Sequence, residues 1–420
     1  MIMSGNVKRI IENAAKDPEF LGNLRDYPEL LRQNLQLTSE ELSALRSADQ
    51  LVAGPALSSQ MIWQAKLKRR LPAKEPFEPG PQPRPCLAPD LPHGPASAIT
   101  FSSGSGIIGG TISVIMPARN EGDRVRETIR SIAQARSTNF ELEIVVVDDA
   151  SEDGCCSRLV NDAPRMNLRN VAIKVVRFTQ RLGIARARNV GAAIATGKIF
   201  FITDSHVQFS KHWDRHILDN LTGNRILAAT IVPRTSASEI YGSSLMVPLM
   251  QSNANLKPLH SAAPVQIAIP IGTILARELF WRIGGYDAGM MFYGAAEPEF
   301  SIRAWLTGAE ILSISDLKVA HQSKSRAEKV QRLDSLLPYL VQNRLRFGML
   351  YLSDLAILQM VRHYSMTFPN HQVQKAFALV NSGDVWQRKQ FLQRALPRDF
   401  NWFIQKFDIK DQIGREILRN

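Results

Sequence analysis

The chain has 420 residues, 45% of them hydrophobic, and a formal net charge of +12. That is enough for a packed core and more than one ordinary domain needs. The first twenty residues lack the apolar run and small-residue cleavage site of a secretion signal, no stretch of about 18 uncharged apolar residues offers a spanning helix, and three cysteines cannot build a disulfide framework. The expected setting is the reducing cytoplasm. The positive charge favours anionic partners, whether nucleic acid, acidic lipid or nucleotide diphosphate, without choosing among them.

Residues 1–71 read as a small helical module. Ile10, Ile11, Ala14 and Ala15 form an apolar stripe at helical spacing. Asp17-Pro18 predicts a cap and first-turn proline, and Thr38 with Glu41 has the capping-box spacing. Residues 72–110 read as a linker. Nine prolines fall between Pro72 and Pro95, a density that removes backbone donors and forces extended chain, and glycines and serines follow.

From Thr111 short apolar strands alternate with helices. Strands are expected over 112–116, 143–147, 172–177, 198–203 and 311–314, with helices over 124–136, 185–195 and 300–307. The pattern predicts a parallel α/β sheet over 111–325, with ligands bound beyond the strand ends. Residues 326–420 turn helical again, as a cap or an oligomer surface. Trp386, Phe391, Trp402, Phe403 and Phe407 stand among basic residues there, which leaves peripheral membrane contact as a further expectation.

Four clusters carry possible chemistry. Asp204-Ser205-His206 follows an apolar strand and offers a hard oxygen and an imidazole nitrogen, donors that suit Mn2+ or a similar divalent ion; a turn-capping Asp beside an incidental His would look the same. His321 could close such a site from far along the chain. Glu297 and Glu299 begin a helix, where the dipole stabilises negative charge and one carboxylate could serve as a general base, though plain helix-start acids fit equally. Asp148-Asp149 ends the second strand and could accept from a base or a ribose hydroxyl. Arg181, Gly183 and Arg188 could contact a diphosphate, and an arginine-lined groove would equally suit nucleic acid. No GxGxxG follows the first strand in the dinucleotide-binding arrangement, and no GxxxxGK[ST] or GxSxG motif appears, so hydride transfer, P-loop hydrolysis and serine hydrolysis lack support.

Taken together, residues 111–325 resemble the GT-A glycosyltransferases of family 2 and, in places, the polypeptide N-acetylgalactosaminyltransferases. The resemblance rests on Ser113–Glu121, Val147-Asp148-Asp149-Ala150-Ser151, Arg188-Asn189 with Gly191, the Asp204–His206 DxH, Gly284-Gly285-Tyr286-Asp287 and His321. It implies a GT-A α/β domain in which Asp204, His206 and His321 hold Mn2+. A UDP-sugar would lie along Ala118, Asn120, Glu121, Asp148, Asp149, Arg181, Gly183, Arg188, Asp204 and Ser205. Glu297 would be the base of an inverting reaction, supported by Glu299, whereas kinship with the polypeptide transferases would imply retention. Family 2 enzymes usually have Glu-Asp where this chain has Ala296-Glu297. The implied acceptor is a peptide or protein side chain, with a glycan or lipid-linked sugar next and no nucleic acid. A lapsed enzyme acting as a binding protein is the reading from another class. Val7–Ala48 also resembles the leader-like helical segments of nitrile-hydratase-type and Nif11-type peptide precursors, which implies a place in peptide modification.

Overall fold

The computed structural model describes residues 5–51, 96–102, 112–137, 141–166, 168–233, 238–322 and 326–410. The expected linker lies outside the described residues over 72–95 and 103–110, as do residues 52–71 of the expected helical module.

The amino-terminal residues form α1 (Gly5–Lys16), α2 (Pro18–Asp26), α3 (Leu31–Leu35) and α4 (Ser39–Ser47). Their starts follow the local chemistry. Asp17 accepts from the amide of Glu19 at 2.8 Å. Thr38 accepts from the amide of Glu41 at 3.1 Å while the Glu41 carboxylate accepts from the amide of Thr38 at 2.9 Å, a closed capping box.

The central sheet has ten strands: β1 (Ala96–Ser102), β2 (Ile112–Ala118), β3 (Leu142–Asp148), β4 (Val171–Phe178), β5 (Ile199–Ile202), β6 (Val207–Phe209), β7 (Arg225–Pro233), β10 (Ala263–Pro264), β11 (Thr273–Ala276) and β12 (Glu310–His321). Two further strands, β8 (Ser243–Met246) and β9 (Gln251–Ala254), form a separate hairpin. The order is β1-β4-β3-β2-β5-β11-β7-β12-β10, with β6 paired to β12.

Side-chain alternation along the strands feeds two cores. Val114 and Met116 face one cluster and Ile115 the other; Ile144 and Val146 oppose Val145 and Val147 in the same way. Helices α5 (Arg124–Ala135), α6 (Cys155–Asp162) and α8 (Trp213–Asn220) cover the first face. Helices α7 (Ile184–Ile194), α9 (Arg277–Ile283) and α10 (Ala296–Thr307) cover the second.

Two expectations change. The sheet is mixed rather than parallel: β11 lies antiparallel between β5 and β7, and β1 is antiparallel to β4. The chain reaches β11 from β7 through the β8–β9 hairpin and β10 rather than through a crossover helix, and only parallel neighbours require such a crossover. The sheet also takes in β1, which falls inside the stretch read as linker. Residues 96–102 contain no proline and carry Ile99, Thr100 and Phe101, residue types that favour strand.

The carboxy-terminal helices are α11 (Arg326–Tyr351), α12 (Asp354–Thr367), α13 (Asn370–Asn381), α14 (Val385–Ala395) and α15 (Phe400–Lys406). They share one continuous core with the sheet's second face and with α1–α4. The aromatic residues that suggested a membrane face turn inward: Phe403 is fully buried, and Trp386, Phe391, Trp402 and Phe407 pack against the core. No described helix is long and apolar enough to cross a membrane.

Candidate metal and donor site

The site begins where β5 ends. Thr203 donates its amide to Ile115 at 3.0 Å, which carries the chain straight past the end of β2 and into Asp204. The next strand, β6, starts one residue after His206 and pairs antiparallel with the end of β12, with Val207 opposite His321. The amide of Gln322 then bonds the carbonyl of His206 at 3.1 Å. This pairing brings two histidines 115 positions apart face to face.

Their Nε2 atoms stand 3.0 Å apart, and each lies 4.0 Å from Oδ2 of Asp204. All three side chains are partly buried, and their ligand atoms lie within 4.8 Å of one another. Two acceptor nitrogens at this separation repel unless a proton or a cation lies between them. Nitrogens bound to one ion at about 2.1 Å each stand about 3 Å apart when their bonds meet near a right angle, so the spacing fits a shared ion. The outer face of the site supports the same reading. Glu121 is buried, and its Oε2 lies 3.2 Å from Nδ1 of His206. A carboxylate facing Nδ1 favours the tautomer with its proton there, which leaves Nε2 as the lone-pair donor. The sequence placed Glu121 beside the nucleotide; the structure gives it this orienting contact.

Arg188 is the hub of the site. It is completely buried on α7, forms an ion pair with Glu297, lies 3.5 Å from Oδ1 of Asp204 and donates to the Pro270 carbonyl at 3.4 Å. Its guanidinium also packs over the Tyr286 ring at 5.2 Å. Burial works against the charge on Arg188, but Glu297 and Asp204 more than offset it, and the pKa is raised. Arg188, expected at a diphosphate, here bridges a candidate ligand and the candidate base, with Nη1 and Nη2 both held by protein groups.

The neighbouring Asn189 and Gly191 have local explanations. Asn189 clamps the backbone of Tyr286 with two bonds of 2.8 Å. A side chain at Gly191 would clash with Ile115, so α7 can lie this close to β2 only with glycine there.

The two carboxylates at the start of α10 separate. Glu297 reaches Arg188 and stays partly exposed. Glu299, expected to support catalysis, is fully buried; Arg303 takes both of its oxygens at 2.8 and 2.7 Å, and Tyr351 donates to it at 2.8 Å. It ties α10 to α11 and offers nothing to an acceptor hydroxyl. Residues two and four of this helix point in different directions, which the helical period requires.

The expected nucleoside side is a pair of laced strand-end loops. Ala118 ends β2 and accepts from the amide of Asp149 at 2.9 Å. Asn120 accepts from the amide of Glu152 at 2.8 Å. Asp148 is buried, accepts from the Ser151 amide at 2.9 Å and pairs with Arg177 at 3.3 Å. Asp149 holds the amides of Leu182 and Gly183, with Arg181 at 3.9 Å. Burial raises the Asp149 pKa against the pull of those amides and arginines. Both aspartates therefore shape the crevice from within. Arg181 lies over the Phe292 ring at 4.6 Å, and Gly183 passes so near Phe292 that a Cβ would lie 2.5 Å from its backbone. Ser205 is buried between the two metal-facing residues.

The side chain that sequence reasoning missed is Asn343, on α11. It accepts from the amide of Met291 at 2.7 Å and donates to the carbonyls of Met291, Tyr293 and Gly294 at 2.7, 2.9 and 2.9 Å. It thus pins the loop that leads into Glu297. Nothing local marks it, since its partners lie about fifty positions away.

Residues 113–292 match the model of glycosyl transferase family 2. The middle of the chain has the GT-A fold and is similar, at low identity, to the polypeptide N-acetylgalactosaminyltransferases. Polypeptide N-acetylgalactosaminyltransferase 10 of Homo sapiens is 24% identical over 288 residues, 60% of this chain and 46% of that protein. The chain thus spans about half the length of that relative. Inactive polypeptide N-acetylgalactosaminyltransferase-like protein 5 of Macaca fascicularis is 26% identical over 314 residues, 70% of this chain and 67% of that protein. A crystal structure of GalNAc-T7 with UDP, GalNAc and Mn2+ superposes with a TM-score of 0.55 at 19% identity, covering 71% of this chain and 56% of that one. This likeness shows the shared GT-A fold.

Proposed function

We propose that the chain is a metal-dependent glycosyltransferase that moves a hexose or N-acetylhexosamine from a UDP-sugar to a peptide or protein side chain. The observation that carries this reading is the meeting of Asp204, His206 and His321 with Glu121 behind His206. An oxygen and two imidazoles favour Mn2+ over Mg2+. Such an ion, when bound, would offset the charge that develops on a departing diphosphate.

The chain's own groups do the remainder. Glu121, beside Nδ1 of His206, favours the tautomer that leaves Nε2 to a metal. Arg188 holds Asp204 in place and pairs with Glu297, the carboxylate that would take the proton of an acceptor hydroxyl. That role makes the reaction inverting; a retaining reaction would leave Glu297 as an orienting group. The UDP-sugar donor and the peptide acceptor draw support from the names of the related transferases and from the UDP and Mn2+ in the GalNAc-T7 crystal. A glycan or lipid-linked acceptor is the nearest alternative. The inactive macaque relative favours one other reading, a donor-binding protein that no longer turns over.

A donor screen decides among these. The purified chain is incubated with UDP- and GDP-sugars, with Mn2+ or with a chelator, and released nucleotide diphosphate is measured. Candidate peptides and glycans are then searched by mass for the added sugar. Metal-dependent release from one UDP-sugar is expected, with a mass gain on a peptide. Metal-dependent binding without release in the presence of every acceptor would support the binding protein. No metal-dependent binding or release would overturn the site.

A further inference from the structure

A cavity of about 600 Å³ opens between the ends of α10, α11, α14 and α15, a volume within the range of small-molecule pockets. None of the metal-site residues, nor Glu297, lines it. Its walls are in part apolar, with Leu392 and Phe400, and in part charged, with Lys389 and Arg398 beside Trp402.

The charges are unbalanced. Lys389 is buried, and its ammonium, which has three donors, gives one hydrogen bond, a long one of 3.3 Å to the Leu352 carbonyl. Burial lowers its pKa against the pull of Asp354. Arg398 lies 4.1 Å over the Trp402 ring and donates to the Trp305 carbonyl at 3.3 Å. The acid in the wall, Asp399, already caps α15 by accepting from the amide of Trp402 at 2.9 Å. An enclosed ammonium with donors to spare is costly, and an anion in the cavity would repay that cost. The aromatic and aliphatic walls would take an apolar body.

We propose that this cavity binds a small amphipathic anion, a carboxylate or phosphate carried on an aromatic or alkyl body. The site is independent of sugar transfer and does not rest on it.

The test is calorimetric titration of the full chain with benzoate, phenyl phosphate and benzyl alcohol, with and without excess UDP and Mn2+. Benzoate or phenyl phosphate is expected to bind, the neutral alcohol at least tenfold more weakly, and UDP to leave binding unchanged. Lys389→Met should weaken the anion tenfold or more and, without probe, melt no lower than the wild type, since it removes a buried ammonium held by a single long hydrogen bond. Arg398→Gln should also weaken binding, and it decides the matter should the first variant fail to fold. The proposal is overturned by equal binding of the alcohol, by displacement with UDP, by no binding of either anion, or by variants that bind as the wild type does. A clear drop in the melting temperature of folded Lys389→Met would assign the lysine a structural role and overturn it too.

Discussion

Glu121 and Arg188 show how much a side chain's role depends on what faces it. The sequence named both as donor-site residues; the structure sets Glu121 3.2 Å from Nδ1 of His206 and Arg188 between Asp204 and Glu297. An orienting carboxylate of this kind tunes affinity more than it builds the site. Glu121→Gln is therefore expected to weaken Mn2+ binding about 10–100-fold, with donor turnover recovering at high Mn2+. Titration of metal-dependent nucleotide release checks this, and an unchanged metal requirement would remove Glu121 from the site. His321→Ala removes a ligand rather than its support, so excess metal should not restore its activity. The Asp-His-His set came from the family resemblance, because the residue types alone would equally fit a turn-capping Asp beside incidental histidines. The orienting partner was not legible, because any nearby carboxylate would read the same.

Among the elements, α10 and α11 matter most. The sequence placed a helix at Glu297 and Glu299, but only the first of these carboxylates reaches Arg188; the second is spent on Arg303 and Tyr351. Helix α11 serves the site from behind, through Asn343 and its four bonds to residues 291–294. It is also locked to the Tyr286–Asp287 turn. Burial would raise the Asp287 pKa, yet Arg346 and Arg388 hold it below its ordinary value. Removing the clamp should loosen the approach to Glu297 while the fold persists. Asn343→Ala is expected to lower turnover about tenfold or more, since small misplacements near a reacting group are costly, with faster proteolysis at 291–294. Wild-type turnover would show that the loop holds itself.

At the scale of the molecule, the two helical ends dock on one another rather than flanking the sheet separately. Arg362 on α12 donates to the carbonyls of Arg25 and Leu45 and pairs with Asp49 at 3.1 Å. Beside it, His363 is buried against the backbone of Ala48. Burial is the main cause that lowers its pKa from 6.5 to about 4, with Arg344 adding to it. The sign follows directly. Above about pH 6.5 the ring is neutral in both folded and unfolded chains and costs nothing. As pH falls from there toward 4, the unfolded chain takes up a proton that the folded one refuses, and stability is lost, on the order of 3 kcal/mol by pH 4. Melting curves at pH 7.5 and 5.0 should show the loss, and His363→Leu should shrink it. An equal loss in the variant would place the acid sensitivity elsewhere.

By itself, the sequence determined the alternation of strands and helices, the caps at Asp17 and Thr38, and the types of the candidate metal ligands. These are local matters: side-chain periods of about 2 and 3.6, cap chemistry and ligand chemistry need no knowledge of distant chain. The tertiary structure alone decided which of those residues meet. The antiparallel insertion of β11, the β6–β12 register that sets His321 against His206, the burial of Arg188 between two acids and the reach of Asn343 across the loop all depend on pairings between segments far apart in sequence. Their energy comes from packing and desolvation, which exist only once the chain has folded.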